Sequence, residues 1–268
     1  MVGRSDGRTV GRALRVPALG AAIVTVFLSV CPTVRLSAQI ADNSFLLEEA
    51  YNQESRVVQH INAFLRSENG SWLYTFTQEW PAWGQRNQFS YTLPLLDGQS
   101  GDARFGDVLL NYRYQLVGVE GPVSVAPRIS AILPTGSAAD GTGDNTLGVQ
   151  FNLPVSVTLG PQLVTHWNAG YTVLPNAQLP GGSRRTITAT NLGGSAIWLV
   201  TSKFNLMLES LWVSDDGVEE WFVLPGVRWA HDFTNGLQVV PGFAYLAGVG
   251  PSSGASGVFL YLSLEHGF

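Results

Sequence analysis

Few residues in this 268-residue chain could do covalent or metal chemistry. The histidines are His60, His166, His231 and His266, and the one cysteine is Cys31. A hydrolytic site needs a serine within hydrogen-bond reach of an imidazole that can take its proton. No serine stands two residues after any of the four; the following pairs are Ile61-Asn62, Trp167-Asn168, Asp232-Phe233 and Gly267-Phe268. A serine from a neighbouring extended segment is the remaining route, and His166 with Ser156 or Ser195 is the couple to consider. Otherwise His166 is simply a polar interior residue. Asp140, Asp144 and Asn145 fall in the run DGTGDN and could offer oxygens to calcium. That run lacks EF-hand spacing and reads as a Gly/Asp loop. Asp215, Asp216, Glu219 and Glu220 make an acidic loop, and no phosphate-cradling glycine motif opens a helix anywhere. No catalytic residue, metal site or cofactor is assigned, and the chain is read as non-enzymatic.

The charges that call for explanation lie inside extended segments. Glu79, Asp107, Arg113, Arg128, Glu209 and Arg228 each sit on the polar side of a stretch whose other side is apolar. In 105–116, Val108, Leu110, Tyr112, Tyr114 and Leu116 alternate with Asp107, Asn111, Arg113 and Gln115. In 204–213, Leu206, Leu208 and Trp212 oppose Asn205 and Glu209. Alternation with period two is the signature of a strand with two unlike faces. It recurs over 57–65, 72–80, 87–95, 105–116, 123–133, 146–158, 163–173, 186–200, 204–213, 221–231, 237–247 and 257–268, giving about twelve strands of the length that crosses a bilayer at a tilt.

Composition agrees. The chain is 45% hydrophobic and only 13% charged, about half the usual charged fraction. Beyond the N-terminus no run of about 18 apolar residues exists, so spanning helices are not expected. A closed barrel is the other structure that satisfies its backbone in lipid. The predicted fold is therefore a closed antiparallel transmembrane β-barrel over 57–268, with short periplasmic turns and longer extracellular loops. Links after the even-numbered strands are short, around Ala82-Trp83-Gly84, Gly118–Gly121, Gly160-Pro161, Ser202-Lys203 and Asp232–Asn235. Links after strands three, five, seven and eleven are longer, and those after one and nine are intermediate. Both termini then face the periplasm.

Residues 1–38 read as a secretion signal: Arg4, Arg8, Arg12 and Arg15, an apolar core from Ala18 to Val30, and Ser37-Ala38 at the cleavage site. Its five arginines and one aspartate leave ten basic and nineteen acidic residues in the remainder. So acidic a chain is a poor partner for nucleic acid. Residues 39–56 form a separate piece, a short helix or plug at the periplasmic mouth, or a tail that orders on packing. The final strand, GVFLYLSLEHGF, turns Val258, Leu260, Leu262, Leu264 and Phe268 to one side and Phe259, Tyr261, Ser263 and Glu265 to the other. Phe268 is assigned as the signal read by the barrel-assembly machinery.

Three stretches resemble the outer-membrane barrel family of the phenol meta-degradation pathway: FGDVLLNYRYQL (105–116), ILPTG (132–136) and TNLGGSAIWLVTSKFNLMLES (190–210). The resemblance implies passage of small, hydrophobic or aromatic molecules; it carries over no site residue, and residues 45–54 fall outside its pattern. The expected function is a passive channel in the outer membrane, in contact with its lipids and lipopolysaccharide. A non-conducting structural or adhesive barrel and an outer-membrane lipid hydrolase are the alternatives. Glu79, Asp107, Arg113, Arg128, Glu209 and Arg228 are expected to line the narrowest part of the lumen, with Glu209 and Arg228 able to pair across adjacent strands.

Overall fold

Alternating segments with one apolar and one polar face can bury their polar faces together only by closing on themselves. The computed structural model, which describes residues 43–98, 101–179 and 181–268, shows this closure. The predicted secretion signal, its cleavage site and residues 39–42 lie outside the described residues. The strands are β1 (Val57–Ser67), β2 (Trp72–Pro81), β3 (Asn87–Asp97), β4 (Ala103–Phe105), β5 (Val108–Tyr114), β6 (Val123–Val125), β7 (Arg128–Leu133), β8 (Gly148–Asn152), β9 (Val155–Gly160), β10 (Leu163–Gln178), β11 (Arg184–Thr201), β12 (Phe204–Asp215), β13 (Val218–Trp229), β14 (His231–Asp232), β15 (Gln238–Gly248) and β16 (Ser256–Gly267). β4 continues into β5, β6 into β7, β8 into β9 and β13 into β14, so they form twelve antiparallel staves. β1 and β16 close the cylinder in unbroken register from Val57 opposite Gly267 to Ser67 opposite Gly257.

The barrel is apolar outside, while its interior holds buried polar and charged side chains beside an apolar cluster that includes Ile197, Leu224 and Phe259. Leu110, Phe151, Trp198, Leu208, Phe243 and Leu260 are exposed, while Gln59, His166, Asn168, Asn191, Glu209 and Arg228 are buried. Aromatic residues gather at the end that carries the chain termini, where the rings of Trp83 and Phe89 are 5.4 Å apart and those of Phe89 and Tyr112 are 5.3 Å apart. The lumen towards the opposite, loop end is lined by the apolar cluster of Ile132, Leu174, Ala177 and Ile187.

Four strands expected to be continuous are broken; 105–116 is interrupted at Gly106-Asp107 and 221–231 at Ala230. The staves over 123–133 and 146–158 lose strand geometry at Ala126-Pro127 and Leu153-Pro154. Proline has no N–H for the ladder, and the two proline breaks lie side by side: Ala126 N–H donates to Pro154 O at 3.3 Å. The link after the seventh stave is shorter than expected, because β10 and β11 run on to Gln178 and back from Arg184. The link after the ninth is a two-residue turn, Asp216-Gly217, with φ of 54° and 84°. Positive φ at both positions matches the right-handed twist of a hairpin.

Candidate functional site

The lumen is occupied by the chain's own residues 43–56. They form no helix and pair with no strand; wall side chains take the place of a neighbouring strand. Backbone N–H and C=O groups away from water must find partners, and here carboxamides supply them in matched pairs. Asn168 on β10 accepts from Glu48 N–H at 3.0 Å and donates to Glu48 C=O at 2.7 Å. Gln115, just after β5, accepts from Asn52 N–H at 2.9 Å and donates to Ala50 C=O at 2.6 Å. Ser156 accepts from Ala50 N–H at 2.8 Å, and Gln88 from Gln53 N–H at 2.6 Å.

At its far end the segment is anchored by Phe45. Its ring packs 5.4 Å from Phe259 and 5.7 Å from Tyr261. A notch in the wall admits it: a Cβ on Gly226 or on Gly242 would each come within 2.6 Å of the ring. Burying such a ring is worth about 1.5–3 kcal/mol. Glu209 on β12 fixes the turn beside it. Its carboxylate accepts from Phe45 N–H, from Leu46 N–H at 2.9 Å and from Leu47 N–H at 3.3 Å.

Five of the six charges picked out in the sequence meet this segment or its ligands. Arg113 reaches Glu49 C=O at 3.1 Å, Tyr51 C=O at 2.6 Å and Asn52 Oδ1 at 3.2 Å. It also lies 3.6 Å from the carboxylates of Glu49 and Glu79. Arg128 pairs with Glu48 at 2.7 Å. Glu79 accepts from Gln88 at 2.6 Å. Arg228 donates to Asn43 C=O. The expected Glu209–Arg228 partnership takes another form: Glu209 stands opposite Leu224 and Arg228 opposite Asn205, four residues apart along the pair, and each binds segment backbone.

Asp107 is the sixth, and it is elsewhere. It lies towards the loop end, where it accepts from Gly136 N–H at 2.8 Å and Asp144 N–H at 3.1 Å. It organises the long loop between β7 and β8 instead of joining the cluster around Arg113. The DGTGDN stretch belongs to that same loop.

His166 does meet Ser156, with Nδ1 2.7 Å from the hydroxyl oxygen. Both are buried, and Ser156 already accepts from Ala50. The outer wall, where a hydrolase acting on lipid would need the couple, is on the other side of the sheet. The functional residues that sequence reasoning missed are the neutral ones: Asn168, Gln115, Gln88, Gly226 and Gly242. An inward Asn or Gln carries no signal that separates gripping a segment from facing water. The space left beside Phe45 is a cavity of about 110 Å³ lined by Leu46, Ala63, Leu65, Leu73, Thr75 and Phe259.

No family model and no curated protein matches the sequence. Solved structures do match the fold. The NanC porin superposes with a TM-score of 0.52 at 11% identity, covering 79% of this chain and all of that one. An outer-membrane channel from Pseudomonas putida F1 superposes with a TM-score of 0.55 at 14% identity, covering 82% of this chain and 98% of that one. This chain has the outer-membrane barrel fold. At these identities the likeness carries the twelve-stave architecture and no site residue.

Proposed function

We propose that the protein is an outer-membrane channel for passive passage of small solutes, and that residues 43–56 close its lumen at rest. One observation carries this reading: from 43 to 53 every hydrogen bond between the segment and the wall, among the described residues, has a side chain on at least one side, and backbone–backbone bonds begin only at Glu54 and Arg56, where the segment joins β1. The β1–β16 ladder is complete without it, so the segment can leave without opening the barrel. The polar wall groups it abandons would then meet water, as those of an open pore do. The apolar exterior supports placement in lipid, and the basic-then-apolar leader supports export by a cleaved signal. With the termini in the periplasm, the segment enters from that side. The three stretches resembling the phenol-pathway barrels support a small hydrophobic or aromatic solute. Glu79, Arg113, Arg128, Glu209 and Arg228 form the constriction through the segment they hold.

The density of bonds to the segment favours a second reading, a non-conducting structural barrel with a permanently filled lumen. Planar-bilayer recording separates them. The channel reading expects brief openings in the intact protein and longer ones when Glu209→Gln weakens the turn at 45–47. Silence in the intact protein and in this variant, both correctly inserted, would establish the structural barrel instead. Neutralising Arg113 and Arg128 together should change conductance and ion preference; unchanged values would remove them from the constriction.

A further inference from the structure

Arg113 on β5 and Arg128 on β7 are direct cross-strand partners, and both turn into the lumen. Like charges opposite one another destabilise a sheet, so the pair calls for an anion. On the wall, Glu79 lies 3.6 Å from Arg113, but Arg128 meets only the neutral Gln150, at 2.7 Å. The lumen segment completes the balance. One oxygen of Glu48 is 2.7 Å from Arg128, the other is 4.0 Å from Arg113, and Glu49 is 3.6 Å from Arg113.

The fit of Glu48 is incomplete. Its Oε2 and the Nε of Arg128 are both buried with no hydrogen-bond partner among the described residues. A guanidinium holds a carboxylate best through two parallel N–H···O bonds, and the chain's tether allows Glu48 one short contact with Arg128. A free carboxylate of similar size could make both.

We propose that the Arg113–Arg128 pair is a carboxylate-binding site, that Glu48 fills it as an internal stand-in, and that small carboxylate solutes open the lumen by taking its place. The proposal rests on the channel reading above and narrows its solute to a small molecule that carries a carboxylate, whatever apolar or aromatic group that carboxylate is attached to. Release of the segment removes Glu48 and Glu49 and leaves two arginines against Glu79, a local excess of positive charge at this point of the wall that attracts anions. A solute that binds only the released state draws the equilibrium towards it. Because Glu48 is tethered, its effective concentration is on the order of millimolar or above, and the solute must reach that range to compete.

The test uses propionate, which reproduces the glutamate side chain, and its uncharged isostere propionamide, on the full protein in planar bilayers. Propionate should raise open probability several-fold, and propionamide should leave it unchanged. Glu48→Gln should open the channel without solute. Arg128→Gln should abolish the propionate response, and Arg128→Lys should restore part of it, which guards against a folding defect. Equal effects of the two solutes, or a propionate response that survives Arg113→Gln with Arg128→Gln, would overturn the proposal. Line broadening of labelled propionate in detergent micelles reads the site without conductance. Binding to the Glu48→Gln protein should weaken about tenfold or more when Arg128→Gln is added. Binding without any conductance would defeat the channel reading and leave the site standing; conductance without binding would defeat the site alone.

Discussion

Gly242 of β15 and the ring of Phe45 fit as notch and key: a Cβ on Gly242 would stand 2.6 Å from Cε1 and 3.0 Å from Cζ of the ring. Gly226 on the paired strand β13 completes the notch, its Cβ position 2.6 Å from Cε2. Overpacking at such a contact costs about 1–3 kcal/mol, and the segment can escape it where the closed wall cannot. Gly242→Val should therefore expel Phe45 while the barrel assembles normally. Heat-modifiable migration on gels should match the parent protein, and hydrogen exchange across residues 43–49 should accelerate.

Glu209 takes three backbone N–H groups, from Phe45, Leu46 and Leu47. Glu209→Gln keeps one acceptor oxygen and introduces an NH₂ facing donors. Each N–H left unpaired in a buried site costs about 1–3 kcal/mol. Amides 45–47 should lose exchange protection first, ahead of the amides held by Asn168 and Gln115. Uniform loss across 43–56 would show that the segment is released as one unit.

Asp107 should behave unlike the other five charges. Asp107→Asn loses one of two acceptors for Gly136 and Asp144. Protease should then cut within 134–147 more readily, while the ion preference in planar bilayers stays that of the parent. Arg113→Gln should give the opposite pattern, with the loop intact and the preference altered.

Phe268 is 70% exposed, and its N–H donates to Arg56 C=O at 2.9 Å. A ring so exposed adds little packing energy to the finished barrel. Deleting Phe268 should leave refolding into detergent nearly unchanged, with stability altered by about 1 kcal/mol or less. In cells it should sharply lower the folded, membrane-inserted fraction, as expected if the assembly machinery reads that residue. Equal losses in both settings would make its role structural.

The twelve-stave barrel was legible in the residue pattern because a strand's two faces are a local property. Val258, Leu260 and Leu262 against Phe259, Tyr261 and Ser263 declare inside and outside with no knowledge of their neighbours, and the exposures agree. The same alternation placed Arg113, Arg128, Glu209 and Arg228 in the lumen. It could not place the breaks beside Pro127 and Pro154, because the apolar side chains keep their phase across each proline. Nor could it separate Asp107 from Arg113, since one stave carries both on one face and only its tilt and length put them at different levels.

What tertiary structure alone decided is the partner of each inward group. The stretch FLLEEAYNQE has no periodicity, and apart from local bonds of Gln53 and Glu54 its hydrogen bonds reach residues 33 to 164 positions away. Glu48 reaches Arg128 and Phe45 reaches Gly242 because closure of the cylinder brings several staves around one axis. Sequence therefore determined which way each side chain faces, a consequence of backbone pleat. The folded barrel determined what it meets there, a consequence of long-range geometry that no local pattern encodes.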